Sequence, residues 1–548
     1  MPERYDAVIV GGGHNGLVSA AYLARAGLRT LVLERRDVLG GAAVTEEVVP
    51  GFRFSVFSYV VSLLRPEIIR ELELPRHGLA ILPLDGTFTP LDGDYLWRTD
   101  DHAHTQHELR RWSARDAEAY GEYGRLMAGI ARFIRPILGL TPPDPARPDP
   151  RDLLGLAGLA RDFAQLPRDH QAAFVQLMTM SAADFLDQWF ETDPLKATMS
   201  ASGIIGTFLG VRSPGSAYVL LHHYMGEIDG AFRAWGIPRG GTGGVSEAIA
   251  ASARAAGAEI RTGAPVARIL VRAGRAAGVA LADGSEIAAR IVLASTDAKV
   301  TFLDLLEPGV LDDAFVASIR RIRYRGSSGK VNLALDGLPD FTCLPGPGEH
   351  LRGAVSFSPS LERMQRAYEE ARDGSFSSRP YIDMIIPTLV EPSLAPPGKH
   401  IVSCFVQYAP YALAEGTWDE KREAFGDAVV DTIAERAPAI RDRIIGRQVL
   451  TPLDIERTTG LTEGNIFQGE LSLEQLFLNR PVPGWARYRT PVRDLWLCGS
   501  AVHPGGGIMG ANGRLAALAA ADALRAAGDG RGRRAEAARA DAVAEATR

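Results

Sequence analysis

The stretch that most constrains this chain is VIVGGGHNGLVSAAYLARAGLRTLVLE, residues 8–34. Residues 5–10 read as a buried parallel strand, 14–26 as a helix rich in Ala and Leu, and 29–33 as a second strand, which together make a βαβ unit. Gly11, Gly13 and Gly16 form GxGxxG between the first strand and the helix. The three glycines act differently. Gly11 permits a tight turn, Gly13 lets backbone approach a pyrophosphate, and Gly16 allows close packing of helix on strand. The helix N-terminus offers free N–H groups and partial positive charge to the anion. Glu34 closes the second strand, where a carboxylate accepts hydrogen bonds from ribose hydroxyls and disfavours a ribose phosphate. The spacing predicts a bound dinucleotide.

The rest of the composition narrows the class. At 548 residues the chain exceeds the usual size of one hydrophobic core, so more than one domain is expected. The formal charge is −6 and there is no long basic stripe, so no nucleic-acid partner is expected. Cys343, Cys404 and Cys498 are far apart, with no CxxC and no metal-ligand spacing, which encodes neither a disulfide framework nor a dithiol centre nor a metal site. There is no apolar run long enough for a transmembrane helix. Tyr5 already enters the first strand, which leaves no room for a secretory or transit peptide, so a cytoplasmic location is the expectation, with peripheral membrane contact left open.

Further along, TPPDPARPDP at 141–150 reads as a surface loop, because proline fixes φ and removes donors, inside a region from 86 that reads as mainly helical. Residues 238–263 give a glycine-rich turn, a helix and a short strand. Residues 266–296 alternate apolar and polar around Ala273–Gly274 and Asp283–Gly284, the pattern of an antiparallel meander. Residues 311–484 mix strand-like runs such as HIVSCFVQY at 400–408 with a helical segment at 419–436. Residues 494–528 return to strand, glycine loop and helix, and the tail beyond is low in complexity.

Two glycine-rich stretches separate the dinucleotide choices: LERRDVLGGAA, with Gly40 and Gly41 after the acid, and LCGSAVHPGGGIMGANG near the C-terminus. Together with VIVGGGHNGL, LLHHYMGEIDGAFRAWGIPRGGTGGVSEAIA, NIFQGELSLEQLF and YRTPVRDLWLCGSAVHPGGGIMGANGRLAA, they make the chain from residue 5 to residue 527 resemble the FAD-dependent amine oxidase and phytoene desaturase superfamily, and within it the phytoene dehydrogenase-related proteins. The resemblance implies FAD. It places Gly11, Gly13, Gly16, Glu34 and Arg35 at the adenosine end, Gly40 and Gly41 at the diphosphate and ribityl region, and the backbone of Val266 at the adenine. By the same resemblance Gly499 and Ser500 touch the diphosphate, and Gly507, Ile508 and Met509 lie by the isoalloxazine. A glycine-rich loop entering a helix aims N–H groups at the flavin edge where negative charge gathers on reduction. A bound NAD(P)H is not expected, because RGGTGGVS follows RAWGIPR, which does not read as a buried strand, and no acid stands at the right distance.

For the chemistry, His503 sits in the C-terminal glycine loop, as base, flavin contact or loop-stabilising imidazole. His222 and His223 are adjacent, so on a helix they point about 100° apart and only one can face a substrate. His102, His104 and His107 read as a solvated loop, Cys498 as the end of a strand rather than a covalent tether, and FRFSVFSYVVSLLRPEII at 52–69 as core or as an apolar entrance. The expected fold is α/β, with a discontinuous Rossmann-type FAD-binding domain of the glutathione-reductase-like kind (1–85, 231–310 and 485–528). A mixed α+β cap and substrate domain (86–230 and 311–484) interrupts it, and a flexible tail (529–548) follows. The expected activity is dehydrogenation or desaturation of a largely apolar, carotenoid- or isoprenoid-like small molecule by hydride transfer to FAD, reoxidised by oxygen or a quinone. An amine or amino-acid oxidase, a redox-neutral isomerase and a flavoprotein with a partner-binding or regulatory role remain as alternatives.

Overall fold

Strand Glu3–Val10, helix His14–Arg25 and strand Thr30–Leu33 form where the apolar periodicity places them, and the helix buries Leu17, Val18, Ala20, Ala21 and Leu23 against the strands. The structure is a computed structural model and describes residues 3–144, 150–228, 231–232 and 234–526. It is an α/β fold on two mixed sheets. In the first, Glu3–Val10 pairs parallel with Thr30–Leu33 on one side and with Glu286–Ala294 on the other. Glu259–Arg261 extends the sheet beyond Thr30–Leu33, and Leu495–Leu497 lies parallel to the end of Glu286–Ala294. The chain therefore leaves its first strand toward one edge and returns much later on the other side. In parallel sheets a crevice opens at the carboxyl ends of two strands whose connections diverge in this way. Here it lies between Val10 and Ala294, where Gly11 faces Ser295.

Val266–Arg272, Arg275–Leu281 and Glu286–Ala294 form the antiparallel meander. Ala273 and Gly274 both take positive φ (50° and 71°), as a two-residue hairpin turn matched to strand twist requires.

The second sheet runs in the order Ile444–Leu450, Ser328–Leu335, His400–Gln407, Tyr381–Ile385, Ala354–Phe357, Thr87–Pro90 and Tyr95–Arg98. The last two strands open a region whose described residues are otherwise mainly helical. Their aromatic and β-branched residues suit a pleated, half-buried surface, and helix begins only at His102. Alternation along the strands divides the sheet faces. Val331, Leu333, Val402, Cys404, Ile382 and Met384 pack with Phe425, Val429 and Ile433 of helix Trp418–Ala434. The residues between them, including Lys330, Ser403, Phe405 and Asp383, point the other way. A helical layer containing Ala114–Ile134, Arg168–Thr179 and Ser216–Tyr224 packs around Tyr123, Met127, Phe185 and Leu220.

Two expectations change, and the core reading of segment 52–69 holds. Asp101 caps helix His102–Arg110 by accepting from the Ala103 and His104 N–H groups at 2.8 and 3.3 Å, so the three histidines are helical rather than in a loop. Gly236–Pro238 is a short buried strand after all, but it pairs antiparallel with Ile81–Pro83, and helix Gly243–Ala255 after it packs on helix His14–Arg25. Phe52, Phe54, Val56, Val61, Leu64 and Ile68 are core residues, so segment 52–69 is not an exposed apolar surface. The proline-rich loop falls partly, and the tail wholly, outside the described residues. Among those described, no helix is long and apolar enough to cross a membrane.

Candidate functional site

At Gly16, Gly40 and Gly499 the crevice leaves no room for a side chain. A Cβ at Gly16 would lie 2.2 Å from the Gly11 carbonyl oxygen, so only glycine lets the helix approach its strand this closely. Gly40 takes φ 117°, donates its N–H to Gly12 O at 2.9 Å and forms a bridge with Gly13, which folds the LGG turn onto the GxGxxG turn. Glu34 is buried between them. Its Oε2 accepts from Gly12 N at 2.7 Å and its Oε1 from Arg36 N at 2.9 Å. Arg35 reaches across to donate to Thr458 O at 2.8 Å. The C-terminal motif closes the other side. A Cβ at Gly499 would lie 2.4 Å from Ser295 O, and Asn15 Nδ2 donates to Ser500 Oγ at 3.2 Å. Residues 511–526 are helical and touch the first helix at backbone distance, with Ser19 Oγ donating to Gly513 O at 2.9 Å.

Three adjoining spaces run outward from this point. The first, a cleft of about 260 Å³, is lined by Gly11, Gly13, Glu34, Arg35, Gly40, Gly41, Val266 and Ser500. It shares His14, Ala42, Ile466 and Ser500 with an inner chamber of about 120 Å³, walled by Phe57, Leu63, Phe405, Phe467, Gly507 and Ile508 together with Lys330, His223 and Trp235. Tyr59, Val60, Ile205 and Trp235 separate this chamber from an outer one of about 330 Å³, which includes Thr87, Arg98, Ser356, Tyr381 and Asp383. Gly507 (φ 113°) and Ile508 (φ 56°) turn the loop toward the inner chamber. A left-handed isoleucine is strained, and such strain concentrates at functional sites.

The floor of both chambers is one row of the second sheet. Lys330 and Asp383 each pair with Phe405 from opposite sides, and Tyr59 stacks on the Phe405 ring at 5.6 Å. Two strand spacings put the lysine and the carboxyl roughly 10 Å apart. Lys330 Nζ donates to Ser55 O (3.0 Å), Asn332 Oδ1 (3.0 Å) and Ser403 Oγ (2.6 Å), and burial lowers its pKa to about 7. Tyr59 donates to Asp383 Oδ2 at 2.6 Å. Burial raises Asp383 to about 6 against the opposing pull of that hydrogen bond.

Of the histidines, His223 lines the inner chamber. Its Nδ1 lies 2.9 Å from Val219 O, its ring stacks on Trp235, and burial lowers its pKa to about 4, so it is neutral. His222 points away, edge-on to Phe467 and fully buried. His503 is placed differently from the reading as base or flavin contact. Its Nε2 lies 2.9 Å from Ile137 O, its ring packs edge-on to Phe477, and it lines none of the three spaces, which leaves it the loop-stabilising role. Met509 also turns away from the chamber into the core of the helical layer. Cys498 follows strand Leu495–Leu497 and is fully buried. The residues that sequence reading missed are Lys330, Tyr59 and Asp383, whereas Trp235, a candidate for lining the cavity beside the histidine pair, does line both chambers. Lys330 alone left a signal, a cation inside the strand SGKVNLAL.

The cleft suits a flavin dinucleotide. His14 Nε2 and Asn15 Oδ1 are buried there without a hydrogen-bond partner, at the start of a helix and beside a glycine cradle, and the cleft adjoins the mainly apolar inner chamber. Comparison with known proteins agrees. Residues 16–524 match the family of flavin containing amine oxidoreductases. The chain is 44% identical over 546 residues to pyridine nucleotide-disulfide oxidoreductase domain-containing protein 2 of Rattus norvegicus, covering 94% of this chain and 93% of that one. It is 24% identical to the lycopene-forming phytoene desaturase of Pseudescherichia vulneris, covering 92% and 96%. A triple mutant of putrescine oxidase shares the fold, with a TM-score of 0.58 at 16% identity over 95% of this chain and 99% of that one. The chain belongs to the flavin-containing amine oxidoreductase family and is an FAD-dependent oxidoreductase.

Proposed function

We propose that the protein dehydrogenates or desaturates a small molecule whose reacting segment is apolar, with electrons passing on to oxygen or a quinone. The observation that carries this reading is the inner chamber: its described lining is mainly aromatic and aliphatic, with four serines (Ser58, Ser62, Ser328 and Ser500) and with His14, Tyr59, His223 and Lys330 as its titratable members. Gly11, Gly13, Glu34, Gly40 and Ser500 would hold FAD along the cleft, where it would supply a hydride acceptor. The chain's own residues do the remaining work. Phe57, Ile205, Trp235 and Phe467 exclude water and hold the reacting carbon against the ring site. Lys330, held by three acceptors, exchanges a proton near neutrality at the inner wall, and Asp383 with Tyr59 does so at the boundary with the outer chamber. His223 stays neutral and fixes the Trp235 ring. The strand order supports a Rossmann-type nucleotide-binding domain of the glutathione-reductase-like kind, discontinuous over 1–85, 231–310 and 485–528. The likeness to a phytoene desaturase supports an isoprenoid-like substrate.

A second reading, oxidation of an amine, is favoured by one feature: the Asp383 carboxyl among Tyr59 and Tyr381 in the outer chamber suits an ammonium group. Anaerobic mixing of the holoenzyme with isoprenoid hydrocarbons and alcohols on one hand, and with aliphatic amines on the other, separates the two. Bleaching of flavin absorbance by an isoprenoid supports the proposal. Bleaching by amines alone refutes it.

A further inference from the structure

Arg480 is 2% exposed, yet none of its hydrogen bonds reaches a carboxylate. Nε and Nη2 donate to Ser500 O at 3.1 and 2.8 Å, and Nη2 also to Phe467 O at 2.6 Å and Gly469 O at 3.2 Å. Nη1 donates to Gln475 O at 3.3 Å and Glu470 O at 3.5 Å. The Glu470 carboxylate is already held by both arms of Arg325, at 2.5 and 2.7 Å. Carbonyl dipoles offset the desolvation of the guanidinium without cancelling its charge. Burial lowers its pKa to about 10, so it remains a cation at neutral pH. This cation backs the flavin loop. A Cβ at Gly505 would lie 3.7 Å from Arg480 Nε, and Phe467 and Ser500, which it fastens, both line the inner chamber. In a water-poor interior a single charge acts more strongly and over longer range than at a surface.

We propose that Arg480 is a positioning residue with a second effect: its charge would raise the reduction potential of a flavin held beside the loop Gly505–Gly507, by stabilising the negative charge that the flavin gains on reduction. Two electrons and one proton enter on reduction, which leaves one added unit of negative charge, and Arg480 neither gives nor takes a proton. The inference rests on the flavin reading of the cleft.

The test is anaerobic equilibration of the holoenzyme, R480K and R480M with a reference dye while xanthine oxidase supplies electrons. R480M is expected to shift the reduction equilibrium at least tenfold toward the oxidised form, ~30 mV for a two-electron couple. R480K at pH 6.5 is expected to stay within threefold of the parent although it has three donors instead of five. If both variants shift equally, or neither shifts, Arg480 is only a clamp and the proposal fails. If R480M does not retain flavin, R480K decides. A buried lysine loses its proton more readily than a free one, so its potential must fall progressively below that of the parent as pH rises from 6 to 9. A constant separation overturns the proposal. A parent protein purified without flavin and unable to take up added FAD would instead sink the cofactor reading on which this inference rests.

Discussion

Replacing Asp383 by Asn is expected to stabilise the protein while impairing the site. Asn is nearly isosteric, and its carbonyl oxygen still accepts the Tyr59 hydroxyl that now bonds Oδ2 at 2.6 Å. What disappears is a desolvated negative charge. Burial raises the Asp383 pKa from 3.8 to about 6. At ~1.4 kcal/mol per unit this is roughly 3 kcal/mol of destabilisation when the carboxyl is ionised. Because Asp383 is only partly buried and lines the outer chamber, about 1–3 kcal/mol is the expected range. The sign follows from linkage. The folded pKa lies above the unfolded one, so the wild-type protein gains stability as pH falls through 6 toward 4 and lacks that gain above 6. The advantage of D383N is therefore full at pH 7.5 and fades across the same window. Urea unfolding of both holoproteins at pH 7.5, 6.5, 5.5 and 4.5 reads it directly. A pH-independent difference, or a loss of stability in D383N at pH 7.5, would refute the account of a buried carboxylate held for function.

Three other substitutions probe the remaining parts. Gly16→Ala places a methyl group 2.2 Å from Gly11 O, so it should cost ~1–3 kcal/mol and release flavin, seen as a lower flavin-to-protein absorbance ratio after gel filtration. Glu34→Ala strips the acceptor from the Gly12 and Arg36 N–H groups and should weaken FAD retention at least tenfold by equilibrium dialysis; unchanged affinity would contradict the role given to this acid. Lys330 beside the inner chamber should give the oxidised flavin spectrum an inflection near pH 7, and K330M should abolish it; an inflection that survives in K330M belongs to another group.

How much of this was legible beforehand depended on whether the chemistry was local in sequence. The turn around Gly11–Gly16 and the Ala273–Gly274 hairpin are short-range features, and Gly11 and Gly274 take the positive φ that favours glycine. The N-terminal and C-terminal glycine loops are brought to one site by the family resemblance that their motifs carry, not by their strand–loop–helix pattern alone. The substrate side was not. Lys330, Phe405 and Asp383 come from three strands, and their alignment depends on a register that alternation alone does not give. For His503, position in the glycine loop leaves base, flavin contact and loop-stabilising imidazole all open, and only the fold, which turns its ring toward Ile137, selects the last. Arg480, in NRPVPGW, has no periodic or motif context, so its significance emerges only from the five carbonyls that surround it.

The central claim is that the crevice between Val10 and Ala294 holds FAD with its ring in the chamber beside Lys330 and Ile508. It is tested most directly by the absorbance spectrum of the purified chain, followed by heat release and chromatographic identification of the cofactor. The account predicts flavin bands that change shape on release and one FAD per chain. A colourless protein that takes up no added FAD, or one that releases a nicotinamide dinucleotide, would contradict it.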